Sequence, residues 1–412
     1  MKKFFRLIKR EFSIIKSSPV ILIIFVGGPL LYSLIIGSVY KNATLSELPI
    51  VVVDLDNTPL SNNVIDALED NQYIKIAKVE HRLYSLTNEV IKNGYQAVVT
   101  IPDGFEGDIQ QVRHPIVDVD INGSNMLPAN YVSSGIQQVL GTLNAGIEIE
   151  SLKKKGIPAP IAEAKFESFR LNVTRFFNPS NNYLIFFFPG ILGTVMQQVF
   201  LIALALSFSR EFETGSFKNL LLETRSVFHM IFTKALLYWI LGMILWMPLL
   251  HIMFPAFKIP MVSSWAWVWL LSGLFMISLT FMGMAVSIVL KTQLLATEVL
   301  MIIAAPSFIV SGQTWPLEQM PEVVQWIAKC IPLTHFLEAF RRMVMADITL
   351  DMIMPQITAL LILTFVYLFI AAVALTIKEK KYIKIYAEDE QNVLKLKIWK
   401  LKRRKKEDNK DS

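Results

Sequence analysis

Few side chains in this sequence combine the residue types and spacing that catalysis or metal binding requires. The chain contains no G-x-x-x-x-G-K-[ST] phosphate loop, no H-E-x-x-H zinc motif and no G-x-S-x-G nucleophile turn. Cys330 is the single cysteine, which excludes an intrachain disulfide and a cysteine-based metal site. We therefore predict a protein that is not an enzyme, holds no metal and binds no cofactor. The histidines are dispersed and predict surface or interface residues: His81, His114, His229, His251 and His335.

Carboxylates at two places could take part in binding. Asp54 and Asp56 follow a β-branched run, but no second carboxylate cluster or glycine loop accompanies them, so a capped turn is predicted. Glu298 lies in an apolar run, seven residues beyond Lys291. A carboxylate there costs a few kcal/mol unless it is paired, hydrated or protonated. Two interpretations stay open. In the functional one, Glu298 faces a substrate path or a subunit interface. In the structural one, it makes a hydrogen bond to a neighbouring helix or extends to the membrane surface.

The distribution of charge indicates what positions these side chains. The chain has 412 residues, of which 53% are hydrophobic and 18% charged, and the charges are segregated from long apolar runs. This segregation is typical of an integral membrane protein. The net charge of +6 comes from Lys and Arg beside the apolar runs, so it predicts membrane orientation and no binding of nucleic acid.

The order of apolar and polar runs predicts an α-helical polytopic membrane protein with six transmembrane helices and an inserted extracytoplasmic α/β (α+β) domain. In the inserted domain, β-branched strand-like runs alternate with helical patterns such as Leu83–Lys92. No A-x-A-like site follows the first apolar run, which favours an anchor over a cleaved signal peptide. The predicted parts are an interfacial amphipathic helix at 1–18, a first span at 19–40, the inserted domain at 41–182, spans two to six within 183–377, and a basic tail at 378–412.

Cationic residues at both ends predict the orientation. Six Lys/Arg lie in the first 18 residues, and residues 400–406 read K-L-K-R-R-K-K. Positive residues remain on the cytoplasmic side, and six spans return the chain to the side where it started, so both termini are predicted in the cytoplasm. The inserted domain and a partly re-entrant loop at 311–352 are then outside, and the elbow at 207–234 is inside.

The elbow combines charged and apolar side chains. Its charges are too many for hydrocarbon, so it should rest at the membrane surface as a tight turn between two spans. Its apolar residues recur near helical spacing, which predicts a short amphipathic element whose apolar face is offered to a partner beneath the membrane. These residues are Phe208, Phe212, Phe217, Leu220, Leu221 and Leu222.

Three motifs in this order carry a family resemblance. Residues 210–216 read R-E-F-E-T-G-S before Leu220-Leu221, which resembles the R-E-x-E-x-G-T…L-L signature of ATP-binding-cassette (ABC) permeases of the type-2 exporter class. Residues 178–190 resemble the family's N-P…P-G entry to a span, and residues 311–341 its S-G…P…M-P…P-L-T…R loop. The chain departs from the commonest pattern at Phe212, a position that is usually basic, at Ser216, and at Thr233 before Lys234.

The resemblance implies a permease subunit that forms an export path for a drug, lipid or other amphipathic molecule in a bacterial inner membrane. The implied partners are a separate ABC ATPase that binds ATP and Mg, a second permease copy or paralogue, and a periplasmic adaptor protein. Residues assigned to ATPase coupling are Arg210, Glu211, Phe212, Glu213, Thr214, Gly215, Phe217, Leu220 and Leu221. Candidates for the translocation path or gate are Pro189, Gln197, Glu298 and Pro306.

A second class of function stays open at this point. A membrane-anchored receptor or assembly scaffold would work through residues 41–182 and need its helices only as anchors. In such a protein the elbow motif and Glu298 would have no purpose.

Overall fold

A computed structural model describes residues 2–16, 19–41, 44–82, 92–166, 177–224 and 226–408. The chain divides into two compact units, one made of Met1–Lys41 with Phe176–Ser412 and the other of Asn42–Arg175. The predicted helical pattern Leu83–Lys92 lies outside the described residues except for its last position. In chain order the elements are α1 (Lys2–Lys16), α2 (Pro19–Val39), β1 (Leu48–Asp54), α3 (Pro59–Glu69), β2 (Ile74–Glu80), β3 (Ala97–Ile101), α4 (Phe105–Gln110), β4 (Asp118–Ile121), α5 (Met126–Lys154), α6 (Ala159–Phe166), α7 (Tyr183–Thr214), α8 (Phe217–Glu223), α9 (Val227–Ala256), α10 (Trp265–Val289), α11 (Gln293–Val310), α12 (Glu322–Lys329), α13 (Pro332–Met345) and α14 (Met354–Asp408).

Most of the larger unit is helical, and five described helices are long and apolar enough to cross a membrane. They coincide with the predicted spans two to six. The predicted first span falls on α2, whose described apolar part, Ile23–Val39, is shorter than the others. The prediction of a helical polytopic protein is therefore confirmed with five candidate spans, one fewer than the six predicted. The five are Tyr183–Thr214, Val227–Ala256, Trp265–Val289, Gln293–Val310 and Leu350–Tyr386.

Polar side chains begin these helices and apolar runs continue them. The Asn182 side chain accepts hydrogen bonds from the backbone N–H groups of Leu184 and Ile185 at 2.9 and 3.2 Å, which starts α7. Ser226 accepts from the N–H of His229 at the start of α9. Such caps satisfy backbone donors that have no partner within a helix, and the following apolar run keeps its polar backbone groups bonded internally.

Helix α10 lies in the interior of the larger unit. It packs against α7, α9, α11, α13 and α14. Gly283 allows a close approach to α7, because a Cβ atom at this position would lie 2.6 Å from the Cβ atom of Leu204. Aromatic rings fill the space toward α13, where Phe275 and Phe336 stack with ring centroids 4.1 Å apart. The crossing with α7 thus depends on a residue without a side chain.

The segment predicted as a partly re-entrant loop, 311–352, contains the two helices α12 and α13. Helix α13 is buried among the apolar helices, with Phe336 and Phe340 packed near Trp246 of α9. Helix α12 instead exposes the large apolar side chains of Val323 and Trp326. The segment thus places one helix inside the bundle and one amphipathic helix at its edge, and its re-entry into a membrane stays a prediction.

The smaller unit holds a four-stranded sheet in the order β2-β1-β3-β4. Strand β1 is parallel to β2 and β3, and β4 is antiparallel to β3. The strands contain the β-branched runs predicted from the sequence. At the end of β1 the Asp54 carboxylate accepts from the N–H groups of Asp56 and Asn57 and from the hydroxyl of Ser61, which confirms the predicted turn. Thr58 caps α3 directly after it.

Candidate functional site

The elbow is shorter than the sequence predicts. Helix α7 continues through Ser207 and ends at Thr214, and Gly215 then turns the chain with a φ of 72°, in the left-handed region that favours glycine. Helix α8 follows at Phe217–Glu223. The helix is not interrupted at Ser207, and α10 contacts its backbone on both sides of this residue: the Ser287 hydroxyl accepts from the N–H groups of residues 208 and 209 and donates to the carbonyl of Ala205.

The apolar face of the elbow is covered by the chain itself. The structure therefore contradicts the prediction that this face is offered to a partner. Leu222, by contrast, is 77% exposed. Helical periodicity shows that one face is apolar, but it does not show whether a partner or another part of the chain covers that face. The covered residues are Phe212, Phe217, Leu220 and Leu221, and each is at most 8% exposed.

The cover comes from the continuation of α14 beyond its apolar part. The ring of Tyr382 stacks on Phe212 with centroids 5.5 Å apart and meets Phe217 edge-on at 5.3 Å. The ammonium group of Lys378 lies 5.0 Å from the centre of the Phe212 ring, a cation–π geometry. The sequence predicts a basic tail at 378–412 and does not indicate this role. Tyr382 and Tyr386, four residues apart on one helix face, were the available signal.

A buried ion cluster joins both sides of the elbow to the N-terminal helix. The Lys234 ammonium donates to Glu11 Oε2 and to Glu211 Oε1, both at 2.6 Å. Arg10 donates from Nη1 and Nη2 to the two carboxylate oxygens of Glu211, each at 3.1 Å, and also to Glu11 Oε1 at 2.9 Å. Glu11, Glu211 and Lys234 are 3%, 2% and 1% exposed. Two cations thus neutralise two carboxylates and connect α1, α7 and α9.

Burial makes this cluster sensitive to the loss of one member. Burial raises the pKa of the Glu11 carboxyl above its ordinary value, and the positive charge of Lys234 opposes that shift. Removing one partner of such a group leaves a charge without compensation in a medium where it is poorly solvated. Glu11 is not among the functional residues predicted from the sequence. The signal is that Glu11 is the only carboxylate in the basic segment 1–18.

The part of the elbow that faces outward is mainly polar. The Glu213 carboxylate accepts from the backbone N–H and the side-chain amide of Gln293, both at 2.9 Å, and so links the end of α7 to the start of α11. Any partner that contacts the elbow meets this surface and the side chains of Leu222 and Phe228, which are 77% and 65% exposed. Among the described residues of 207–234, the exposed ones are Glu213, Thr214, Gly215, Lys218, Asn219, Leu222, Phe228 and His229.

The four candidate path residues do not form one site. Pro189 and Gln197 are buried in α7, and the Gln197 amide donates to the Ser307 hydroxyl of α11 at 2.7 Å. Glu298 and Pro306 are exposed on α11. Gln197 therefore makes a contact between α7 and α11 within the larger unit. The roles of Pro189, Gln197, Glu298 and Pro306 in a path or gate stay predictions.

Glu298 lies on the outward face of its helix. It shares that face with exposed apolar side chains, including Leu294 and Ile302, which are 69% and 72% exposed. Within the described part of the chain the Glu298 carboxylate has no hydrogen-bond partner and no ion-pair partner. The interpretation as a structural hydrogen bond to a neighbouring helix is therefore not supported within this subunit.

Comparison with known proteins shows similarity along nearly the whole chain. The profile of a family described as "ABC-2 family transporter protein" matches residues 19–373. The chain is 23% identical over 267 residues to the probable multidrug ABC transporter permease YbhR of Escherichia coli (strain K12), which covers 65% of this chain and 69% of the relative. It is 24% identical over 301 residues to the probable multidrug ABC transporter permease YbhS of the same organism, with 71% and 73% covered. The inner membrane transport permease YhhJ, also from that strain, is 22% identical over 347 residues, with 79% and 85% covered.

The ion cluster gives a prediction about stability. The change Lys234→Met leaves two buried carboxylates with Arg10 as their cation. We expect a loss of about 3–5 kcal/mol, because one buried negative charge then lacks compensation. Thermal unfolding of the detergent-purified chain should show a correspondingly lower midpoint.

Two variants control this experiment. The double change Lys234→Met with Glu11→Gln restores the charge balance and should recover most of the lost stability. Lys218→Met removes an exposed cation from the same elbow and should cost less than about 1 kcal/mol. A midpoint for Lys234→Met equal to that of the unchanged protein would contradict the structural role of the cluster.

Proposed function

Because the chain belongs to the ABC-2 family of transporter proteins, we propose that it is the membrane-spanning permease subunit of an ATP-driven exporter. The observation that carries the proposal is the family match over residues 19–373, which includes the elbow, four candidate spans and most of the fifth. The sequence lacks a phosphate-binding loop, so a separate ATPase subunit would bind ATP and Mg and carry out hydrolysis.

The ATPase would dock on the outward surface of the elbow. On helix α8 this surface offers the large apolar side chain of Leu222 beside the polar side chains of Lys218 and Asn219. An exposed apolar side chain within a polar rim is typical of the anchor of a protein interface. The buried residues Phe217 and Leu221 support the docking surface from below and do not contact the ATPase.

The contacts of the elbow suggest how ATPase movement reaches the spans. Helix α8 is attached to α14 by the rings around Tyr382, and the helices on either side of it are joined to α1 by the ion cluster. A displacement of α8 would therefore move these helices together. ATP-driven closure of the ATPase dimer would tilt them, so that the path opens first to one side of the membrane and then to the other.

We infer an orientation with both termini and the elbow in the cytoplasm of a bacterial cell. Helix α2, with 21 residues, would be the first of six spans, and the unit Asn42–Arg175 would be extracytoplasmic. The basic residues in 1–18 and in the tail favour this orientation. The side chains of the tail cluster at residues 400–406 lie outside the described ones.

A second copy or a paralogue would complete the path against the outward face of α11. The motivation is Glu298, because a carboxylate facing lipid costs about 3 kcal/mol in a spanning helix and a hydrated path removes that cost. Multidrug transport appears in the names of the relatives YbhR and YbhS, which favours amphipathic drugs or lipids as substrates here. The extracytoplasmic unit would shape the exit or hold an adaptor protein.

The docking proposal is tested by two neighbouring leucines. Leu222→Asp places a charge in the proposed interface and should abolish co-purification of the ATPase, while the thermal midpoint of the permease stays the same because this side chain is 77% exposed. Leu221→Asp buries a charge inside the permease itself and should lower the midpoint. Retention of the ATPase at normal levels by Leu222→Asp would refute docking at this surface.

Orientation can be measured by labelling. In a Cys330→Ser background, a cysteine at Asn63 should react with a membrane-impermeant maleimide added outside intact cells, and a cysteine at Lys384 should react only after the membrane is opened. Both side chains are exposed in the structure, so access depends on the membrane and not on the fold. Reaction of both cysteines from the same side would overturn the six-span arrangement.

Glu298→Gln tests the proposed path. The midpoint of thermal unfolding should not change, because the carboxylate is exposed and has no hydrogen-bond or ion-pair partner in the part of the chain that the structure describes. Stimulation of the ATPase by cationic drugs should fall by about tenfold, equivalent to 1.4 kcal/mol of lost attraction, and stimulation by neutral drugs should fall less. Thr297→Ala on the same helix turn serves as control. Unchanged stimulation by both drug classes would remove Glu298 from the path.

A further inference from the structure

The last helix continues far beyond its apolar part as a single element. Helix α14 runs from Met354 to Asp408, and its apolar run ends at Ile377. The sequence from residue 356 to residue 408 contains neither proline nor glycine, the residues at which helices most often kink. At a rise of about 1.5 Å per residue, residues 378–408 therefore extend about 46 Å past the apolar run.

This extension passes beside the outward surface of the elbow, where the ATPase would dock. The Tyr382 ring covers Phe217 of α8, and the ammonium group of Lys218, an exposed residue of the elbow, lies 5.3 Å from the centre of the Tyr386 ring. About 33 Å of helix follow Tyr386. A domain of about 100 residues has a radius of gyration of about 13 Å and is thus about 34 Å across. An ATPase bound to the elbow would therefore lie alongside this part of α14.

Residues 391–406 combine positive charge with an apolar stripe. They read Q-N-V-L-K-L-K-I-W-K-L-K-R-R-K-K, with eight Lys/Arg and no Asp/Glu. Leu394, Ile398 and Leu401 recur at i, i+4 and i+7, which places them on one face of the helix. A basic helix with such a stripe is typical of a segment that binds either a membrane surface or an apolar groove in another protein.

The carboxylates of α14 itself compensate only part of this charge. Side chains interact along a helix at separations of three or four residues. The acidic residues 388–390 have no Lys/Arg of the basic run at these separations, whereas Glu407 and Asp408 have three of its cations there: Arg403, Arg404 and Lys405. The remaining five cations have no carboxylate at these separations and are Lys395, Lys397, Lys400, Lys402 and Lys406.

Distance separates the basic run from the membrane. Lys395 lies about 27 Å along the helix from Ile377, and about 20 Å from the hydrocarbon even if the helix is tilted by about 40°. The headgroup layer is roughly 5–8 Å thick, and the attraction of anionic lipids decays within about 8 Å at physiological salt. The same run of a second copy carries the same positive charge and would be repelled. An acidic protein surface beneath the elbow therefore suits the run better than either of these.

We propose that residues 393–406 of α14 bind an apolar groove with an acidic rim on the ATPase subunit, as a second attachment besides the elbow. The apolar stripe anchors the helix in the groove, and the five lysines supply the charge complement. This inference rests on the proposed exporter function, because that function supplies the ATPase.

The first test changes the charge of the full chain and keeps its helix. Lysines 395, 397, 400, 402 and 406 are replaced together by glutamine or, as the matched control, by arginine; both residues favour a helix about as well as lysine. The partner is the ATPase that co-purifies with the unchanged chain, identified by its phosphate-binding loop. In a neutral detergent without anionic lipid, the glutamine variant should bind this ATPase at least about tenfold more weakly, equivalent to 1.4 kcal/mol, and the arginine variant as tightly as the unchanged chain.

The second test identifies what the helix contacts. The change Trp399→p-benzoylphenylalanine places a photoreactive side chain within the basic run, and illumination of cells that contain both subunits should join α14 to an ATPase peptide rich in Asp and Glu. The same photoreactive residue at Asn63, an exposed position of the smaller unit, should give no adduct with the ATPase.

Each contrary result has its own meaning. An adduct of residue 399 with lipid or with a second permease copy, or equal ATPase affinity of the glutamine variant and the unchanged chain, would overturn this inference and leave the exporter function standing. If the unchanged chain co-purifies with no ATPase, the exporter function fails and the inference fails with it.

Discussion

The architecture around the elbow depends on one buried ammonium group. Lys234 is shared at 2.6 Å by carboxylates from two other helices, and Arg10 balances the remaining negative charge. Charged groups are tolerated at this depth because every member of the cluster has a partner of opposite sign. The helices before and after the elbow are thereby held to each other and to α1, so both ends of the elbow are fixed in position.

Aromatic packing adds a second attachment of a different kind. Tyr382 covers Phe212 and Phe217, and the ammonium of Lys378 approaches the Phe212 ring. Phe212 occupies the position at which the type-2 exporter signature usually has a basic residue. In this chain the ammonium group of Lys378, which belongs to α14, lies beside that position. The elbow is therefore stabilised by ionic contacts at its flanks and by ring contacts on its inner face.

The sequence predicted the features that are set by local physics. Spans two to six follow from apolar runs, because a helix in hydrocarbon must satisfy its own backbone. The turn at Asp54 follows from the hydrogen bonds that a short polar side chain can make to nearby N–H groups. The strands of the smaller unit follow from β-branched runs.

Predictions failed where a distant segment decides the outcome. The apolar face of the elbow is visible in its periodicity, but the residue that covers it, Tyr382, belongs to the last helix. Glu11 and Lys234 are 223 positions apart, and no local pattern pairs them. The position of Glu298 along α11 follows from its separation from Lys291 in the sequence. The exposure of its side chain depends on how α11 packs against α7 and α10, which the local sequence does not show.

The separation of 223 positions also means that Glu11 and Lys234 are synthesised at different times. A ribosome adds roughly 5–20 residues per second, so Glu11 is synthesised roughly 10 to 45 s before Lys234. Throughout that interval Glu11 has Arg10 as an ion-pair partner, whereas its second partner, Lys234, does not yet exist. The cluster closes only when α9 is inserted. Docking of the first helix is thus a late event in assembly, although it is the first part of the chain to be made.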